Sequence, residues 1–306
     1  MTSDEFSVGW RDTVLAGSIA GPVDPPEPPP AVLLLQGSGP SERDADGYFE
    51  PIRRTFVEHG FAVAAFDKPG CGESSGDWRE HALMARADQV RAVLTSLSER
   101  GDIDGSRIGV WGQSQGGWLA QIVAATANPA FAISNSGPSI TVEAQNLFGF
   151  EHTLRTAGRS ELEIDRALDH LHQVHDAARR GDDYDTVRAQ LLAPAESEPW
   201  SEYFTVDDAV DWEFTVKLVQ EAYDPIENLA RVRCPYLAIF GGHDVLVPAW
   251  SGAQETGAAL TACDDATVVV YPHGDHRIQI DGPLDFAPGY LDLLGDWAAA
   301  RVRRAG

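Results

Sequence analysis

Short, continuous apolar runs alternate with longer stretches of helical periodicity along most of this chain. The runs are Ala31–Leu35 (AVLLL), Phe61–Phe66 (FAVAAF), Arg107–Gly112 (RIGVWG), Phe131–Ser136 (FAISNS), Pro235–Phe240 (PYLAIF) and Thr267–Tyr271 (TVVVY). Between them the pattern predicts helices near Phe49–His59 and Leu83–Glu99, one from a glycine-rich segment through Ala125, one near Ala249–Ala262, and a last one over Leu284–Arg303. Strands that are apolar on both faces and separated by helices belong to a parallel sheet covered on both sides. The fold class is therefore α/β. Ahead of the alternation, Phe6–Trp10 and Thr13–Ala20 read as two strands around an Arg11-Asp12 turn, an N-terminal hairpin. The proline run GPVDPPEPPP, Gly21–Pro30, reads as a stiff surface connection, because the stretch before it is too short for a domain of its own.

The alternation stops between Pro138 and Ala230. That stretch carries amphipathic helical patterns and no clear strand; in LEIDRALDHLHQV, Leu162, Leu168, Leu171 and Val174 fall near one face. One sheet interrupted by a helical insertion is expected, with residues 1–137 and 231–306 as the core and 138–230 as a helical cap, or lid. No internal repeat is visible.

Composition narrows the partners more than the fold. Hydrophobic residues at 43%, with 8 tryptophans and 12 phenylalanines, supply a sizeable core. The 47 acidic residues against 23 basic ones give a formal charge of −24, which repels nucleic acid and anionic membrane surfaces, so neither is expected as a partner. The start MTSDEFSVGW lacks a basic segment followed by an apolar run, so no secretory signal is expected, and no stretch reaches membrane-spanning length. Three widely spaced cysteines, Cys71, Cys234 and Cys263, fit a reducing, cytoplasmic setting and have no zinc-site spacing. No cofactor or metal is expected, and a homo-oligomer is left open.

The candidate chemistry begins at VWGQSQGGWLA, Val110–Ala120. Within it Gly112-Gln113-Ser114-Gln115-Gly116 fits G-x-S-x-G, directly after a predicted strand and directly before a predicted helix. A strand turning that sharply into a helix strains its central residue and needs small neighbours on both sides. Such a turn holds the hydroxyl up at the carboxyl edge of the sheet, where open α/β sheets bind ligands. A serine hydroxyl is nevertheless a weak nucleophile until a base takes its proton.

In motif, context and order the chain resembles the α/β-hydrolase family, and the resemblance runs from Ala31 to the last helix. The family implies an α/β-hydrolase fold, a mostly parallel sheet flanked by helices, and catalytic groups in the order Ser, acid, His. FGGHDVLVP (Phe240–Pro248) follows a predicted strand, and its Asp244 falls where the family places the acid. YPHGDHRI (Tyr271–Ile278) follows the last predicted strand, and its His276 falls where the family places the base. His243 and His273 are rivals for the base. Asp275 and Asp224 are weaker rivals for the acid, because neither directly follows a predicted strand end; Asp224 lies in YDPIENL, which resembles the family's re-entry into the sheet.

An oxyanion needs backbone N–H donors. One is implied at Gln115, the residue after the serine, at a helix N-terminus. The other is implied at Ser38, since QGSGPSERD (Gln36–Asp44) resembles the family's HGSGP stretch with Gln36 in place of the common histidine. DKPGCGESSG (Asp67–Gly76) resembles a further family stretch and is read as structural, with Gly70 and Gly72 permitting tight turns; it has no lysine after its glycines and so is no phosphate cradle.

Two other signals compete for attention. HLHQVH puts His170, His172 and His175 on one predicted helix, and a polar helix face accounts for it better than a metal site. The aromatic residues Trp200, Tyr203, Phe204, Trp212 and Phe214 belong to the insertion, where they either line an acyl pocket or pack the cap onto the core. The expected function is a serine hydrolase acting on a small-molecule acyl substrate, first a carboxylic ester. A thioesterase is the runner-up. Lyase, cyclase or carbon–carbon hydrolase chemistry on the same residues, and a binding protein without catalysis, stay open.

Overall fold

In the computed structural model, which describes residues 2–204 and 206–303, all six continuous apolar runs are strands of one sheet. The hairpin comes first, as β1 (Thr2–Trp10) and β2 (Thr13–Gly21), followed by β3 (Ala31–Leu35), β4 (Ala62–Phe66), β5 (Ile108–Gln113), β6 (Ala132–Asn135), β7 (Tyr236–Gly241) and β8 (Ala266–Tyr271). Their order across the sheet is β1-β2-β4-β3-β5-β6-β7-β8. The hairpin pairs antiparallel and joins β4 antiparallel, while β4 through β8 are mutually parallel. Every parallel strand therefore ends on the same edge. Met1 and residues 304–306, which belong to the predicted core, and Thr205 of the predicted cap lie outside the described residues.

The parallel strands read as unbroken apolar runs because both faces of the sheet are buried. Along β3, Ala31, Leu33 and Leu35 enter one core while Val32 and Leu34 enter the other, all 1% exposed or less. Removing each leucine side chain from water contributes about 2 kcal/mol. Helices α1 (Phe49–Glu58), α2 (Leu83–Ser98) and α3 (Gln115–Ala127) follow β3, β4 and β5 in turn; α10 (Ala249–Ala259) follows β7 and α11 (Tyr290–Val302) ends the described chain. Residues of α2, α3 and α10 pack on one face of the sheet and those of α1 and α11 on the other.

Between β6 and β7 lie α4 (Val142–Thr156), α5 (Glu161–Arg180), α6 (Tyr184–Val187), α7 (Ala193–Ala195), α8 (Ala209–Gln220) and α9 (Pro225–Leu229). The longest, α5, has its ends written in the sequence. Ser160 and Glu163 form a reciprocal capping box, and Gly181, at φ 74°, closes the far end in the left-handed conformation. Its buried face is Ile164, Ala167, Leu171, Val174 and Ala178. Leu162, expected on that face, is 68% exposed, because two residues turn a helix through about 200° and carry Leu162 away from Ile164. The insertion is tied to the sheet layer by a bond from Gln145 Nε2 to the Leu246 carbonyl (3.0 Å) and another from the Tyr223 hydroxyl to Gln121 (3.0 Å).

The last helix is shorter than its periodicity predicts. Residues 284–289 fold back instead, with a bridge between Gln279 and Phe286 and a bond from Ala287 N–H to the Ile278 carbonyl (2.8 Å). Pro288 disfavours helix at the residue before it, and Gly289, at φ 78°, stands immediately ahead of the helix. Among the described residues no helix is long and apolar enough to cross a membrane.

Candidate active site

Ser114 stands where β5 becomes α3, at φ 57° and ψ −118°, a backbone conformation that a side chain rarely adopts. The surrounding glycines account for how the chain holds it there. A β-carbon on Gly112 would lie 1.9 Å from the Gly116 carbonyl oxygen, and one on Gly116 would lie 2.3 Å from the Leu35 carbonyl oxygen. Strand, turn and helix thus meet at distances that only hydrogen side chains permit. The Ser114 N–H donates to the Asn135 carbonyl (2.9 Å), and its own carbonyl accepts from Gly117 N–H (2.7 Å), which opens the helix.

Asp244 and His276 arrive on loops after β7 and β8. His276 Nδ1 lies 2.7 Å from Asp244 Oδ2, and the other carboxylate oxygen, Oδ1, accepts from the amides of Leu246 (2.8 Å) and Val247 (2.9 Å). The Asp244 side chain is 1% exposed and that of His276 15%. The two loops are pressed together: a β-carbon on Gly241 would lie 2.0 Å from the Asp275 carbonyl oxygen. Ser114 and His276 line one cavity of about 410 Å³ together with Gln36, Gly37, Ser38, Tyr48 and Leu246.

The rivals make other bonds, although Asp275 lines the same cavity. Asp275 Oδ1 accepts from the amides of Arg277 (2.7 Å) and Gln279 (2.8 Å) and so shapes the loop that carries His276. Asp224 caps α9, accepting from Ile226 N–H (2.9 Å). His243 and His273 are exposed and pack on each other, ring centres 5.4 Å apart. The three histidines of HLHQVH do not form a polar face: His170 and His175 are buried and only His172 faces solvent. Burial pushes His175 down to about 4, since the charged ring cannot be solvated there, with His172 and Arg179 adding repulsion. None of the five insertion aromatics lines the cavity. Trp200 and Phe204 pack beside Phe150 and His170, Trp212 Nε1 donates to the Asp182 carbonyl (2.7 Å), and Phe214 meets Trp78 edge-on.

The loop after β3 is sewn to the turn after β4. Gln36, where the resembled family carries histidine, donates through Nε2 to the Phe66 carbonyl (2.6 Å) and the Glu42 carbonyl (3.2 Å). Lys68 N–H donates to the Ser41 carbonyl (3.2 Å), and Arg43 N–H to Asp67 Oδ1 (2.7 Å). Burial alone would raise the Asp67 carboxyl, but the Arg43 side chain and the amides of Glu73 and Arg43 hold it below its ordinary range. Among the described residues, neither Ser38 N–H nor Gln115 N–H donates a hydrogen bond. The anchoring role of the Gln36 side chain is absent from the sequence pattern, because a bond to a carbonyl thirty residues away leaves no periodic trace.

Comparison with known proteins bears on this geometry. The model of the family described as "Alpha/beta hydrolase family" matches residues 32–288. An uncharacterized 31.7 kDa protein of Escherichia coli is 27% identical over 227 residues, covering 72% of this chain and 74% of its own length. Among solved structures, an esterase of Pyrococcus furiosus superposes with a TM-score of 0.66 at 17% identity, covering 99% of this chain and 91% of that one. A 2,6-dihydroxy-pseudo-oxynicotine hydrolase superposes at 0.64 and 21% identity, covering 98% of this chain and 68% of that one. At these identities the structural likeness is one of fold.

Proposed function

The chain belongs to the alpha/beta hydrolase family, and from that premise we propose that it is a serine hydrolase of small or medium carboxylic esters. The observation that carries this reading is the bond between His276 and Asp244 at the wall of a cavity that Ser114 and Ser38 also line. Ser114 Oγ attacks the acyl carbonyl while His276 Nε2 takes its proton; Asp244, bonded at Nδ1, fixes the tautomer and stabilises the imidazolium. The negative oxygen of the tetrahedral intermediate accepts from the N–H groups of Gln115 and Ser38. Collapse breaks the ester bond, His276 returns the proton to the departing alcohol, and water activated by the same ring then releases the acid and restores Ser114.

In this reading residues 138–230 roof the site, and the substrate is a small acyl molecule needing no metal or cofactor. The experiment is kcat/KM for one acyl series presented as oxygen esters, coenzyme A thioesters and amides. Preference for the oxygen ester supports the proposal, preference for the thioester replaces it with a thioesterase, and silence across all three overturns it in favour of a lyase, cyclase or binding role.

A further inference from the structure

Lys68 is a lysine that ought to be at the surface and is 1% exposed. It follows β4 in the stretch that sequence alone marks as structural, and its side chain turns back across the neighbouring loop. Its Nζ donates to the carbonyl oxygens of Gly37 and Gly39, the two residues flanking Ser38. Among the described residues no carboxylate pairs with it; the cation that acts on it is Arg86, itself buried, with a smaller opposing effect from Cys71. Burial and that like charge push the Lys68 amine down to about 5. Such a placement works against stability, so stability alone does not explain it.

The geometry has a consequence at the next atom. The Gly37 carbonyl and the Ser38 N–H are the two ends of one peptide group, and among the described residues there is no cis peptide bond. In a trans peptide the N–H points opposite to the C=O. Whatever fixes the direction of the Gly37 carbonyl therefore fixes the direction of the Ser38 N–H. A donor on that carbonyl also polarises the peptide and strengthens its N–H as a donor. The second bond, to the Gly39 carbonyl, holds the far side of the same turn, where Gly39 sits at φ 74°.

We infer that Lys68 is a positioning residue for the oxyanion site: by binding the carbonyls on both sides of Ser38 it aims and polarises the Ser38 N–H toward the developing negative oxygen. This rests on the serine-hydrolase reading above. The Lys68 amine touches neither substrate nor Ser114 in this scheme. Its effect passes through one peptide plane, so it belongs to the transition state more than to substrate binding.

The test compares wild type, Lys68→Met and Lys68→Gln on a p-nitrophenyl ester and on a trifluoromethyl ketone with the same acyl group, which forms a tetrahedral oxyanion when bound. Complete loss of one oxyanion donor costs a hundredfold to a thousandfold, so a misaimed donor in Lys68→Met should cost kcat about tenfold to a hundredfold, with KM changed less than about threefold. Ketone affinity should fall by the same factor as kcat. Lys68→Gln, which keeps one shorter donor, should lie between. The thermal midpoint of Lys68→Met should not fall in proportion, since a buried amine is removed with its stem length kept.

Unchanged kcat in Lys68→Met, or a joint loss of kcat and thermal midpoint with no selective effect on the ketone, overturns the inference. Should Lys68→Met not accumulate as folded protein, Lys68→Gln decides by the same criterion of kcat against KM. Wild type that neither turns over esters nor is labelled at Ser114 by a fluorophosphonate overturns the underlying reading and this inference with it. Wild type that does both, beside an undiminished Lys68→Met, overturns this inference alone.

Discussion

His276 Nδ1 stands 2.7 Å from Asp244 Oδ2, and the other oxygen of that carboxylate is held by two loop amides. The carboxylate cannot rotate away without breaking bonds at both oxygens, so the ring is held with its Nδ1 hydrogen toward Asp244 and Nε2 free to accept a proton.

Asp244→Asn tests that arrangement. An amide of the same shape presents either a donor that faces Nδ1 or a weaker, neutral acceptor, and favours the wrong tautomer. Turnover of a good ester should fall by about a thousandfold or more with KM little changed. A loss below tenfold would mean that Asp244 does not orient the base.

Gly116→Ala tests the turn. Its β-carbon would lie 2.3 Å from the Leu35 carbonyl oxygen and 2.8 Å from that of Gln36, and both are backbone atoms that yield only if the end of β3 moves. Urea denaturation should show a loss of about 2 kcal/mol or more, and ester turnover should fall too, because the loop after β3 carries Ser38.

His175 sets a dependence of stability on pH that is independent of catalysis. Its folded pKa is lowered to about 4 from an ordinary 6.5. Between those values the unfolded chain binds a proton that the folded chain refuses, so its contribution is fully present above pH 6.5 and is lost as pH falls through the window toward 4. Unfolding free energies at pH 7 and pH 5 should differ less in His175→Leu than in wild type, by on the order of 1 kcal/mol. Equal differences would show that His175 carries no such linkage.

The strands were legible because both faces of a parallel sheet are buried, and a strand such as Ala62–Phe66 then has no polar position to disguise it. Ser114, Asp244 and His276 follow the ends of β5, β7 and β8 in the order the sequence places them, since one edge of a parallel sheet gathers every strand end. Periodicity was a poorer guide where a few residues decide the outcome. Leu284–Ala287 read as helix until Pro288 and Gly289 intervened, and Leu162 looked interior until its angle on α5 was fixed by Ile164 and Ala167. The order β2-β4-β3 across the sheet has no local signature, because it depends on pairing between distant segments. Contacts of single side chains with remote carbonyls, as at Gln36 and Lys68, leave no pattern at all.

The most direct test of the central claim is the mass of the protein after treatment with a fluorophosphonate. The account predicts a single adduct on the peptide carrying Ser114, absent from a folded Ser114→Ala variant whose ester turnover is lower by several orders of magnitude. An unmodified wild-type chain, or an adduct that persists in Ser114→Ala, would contradict it.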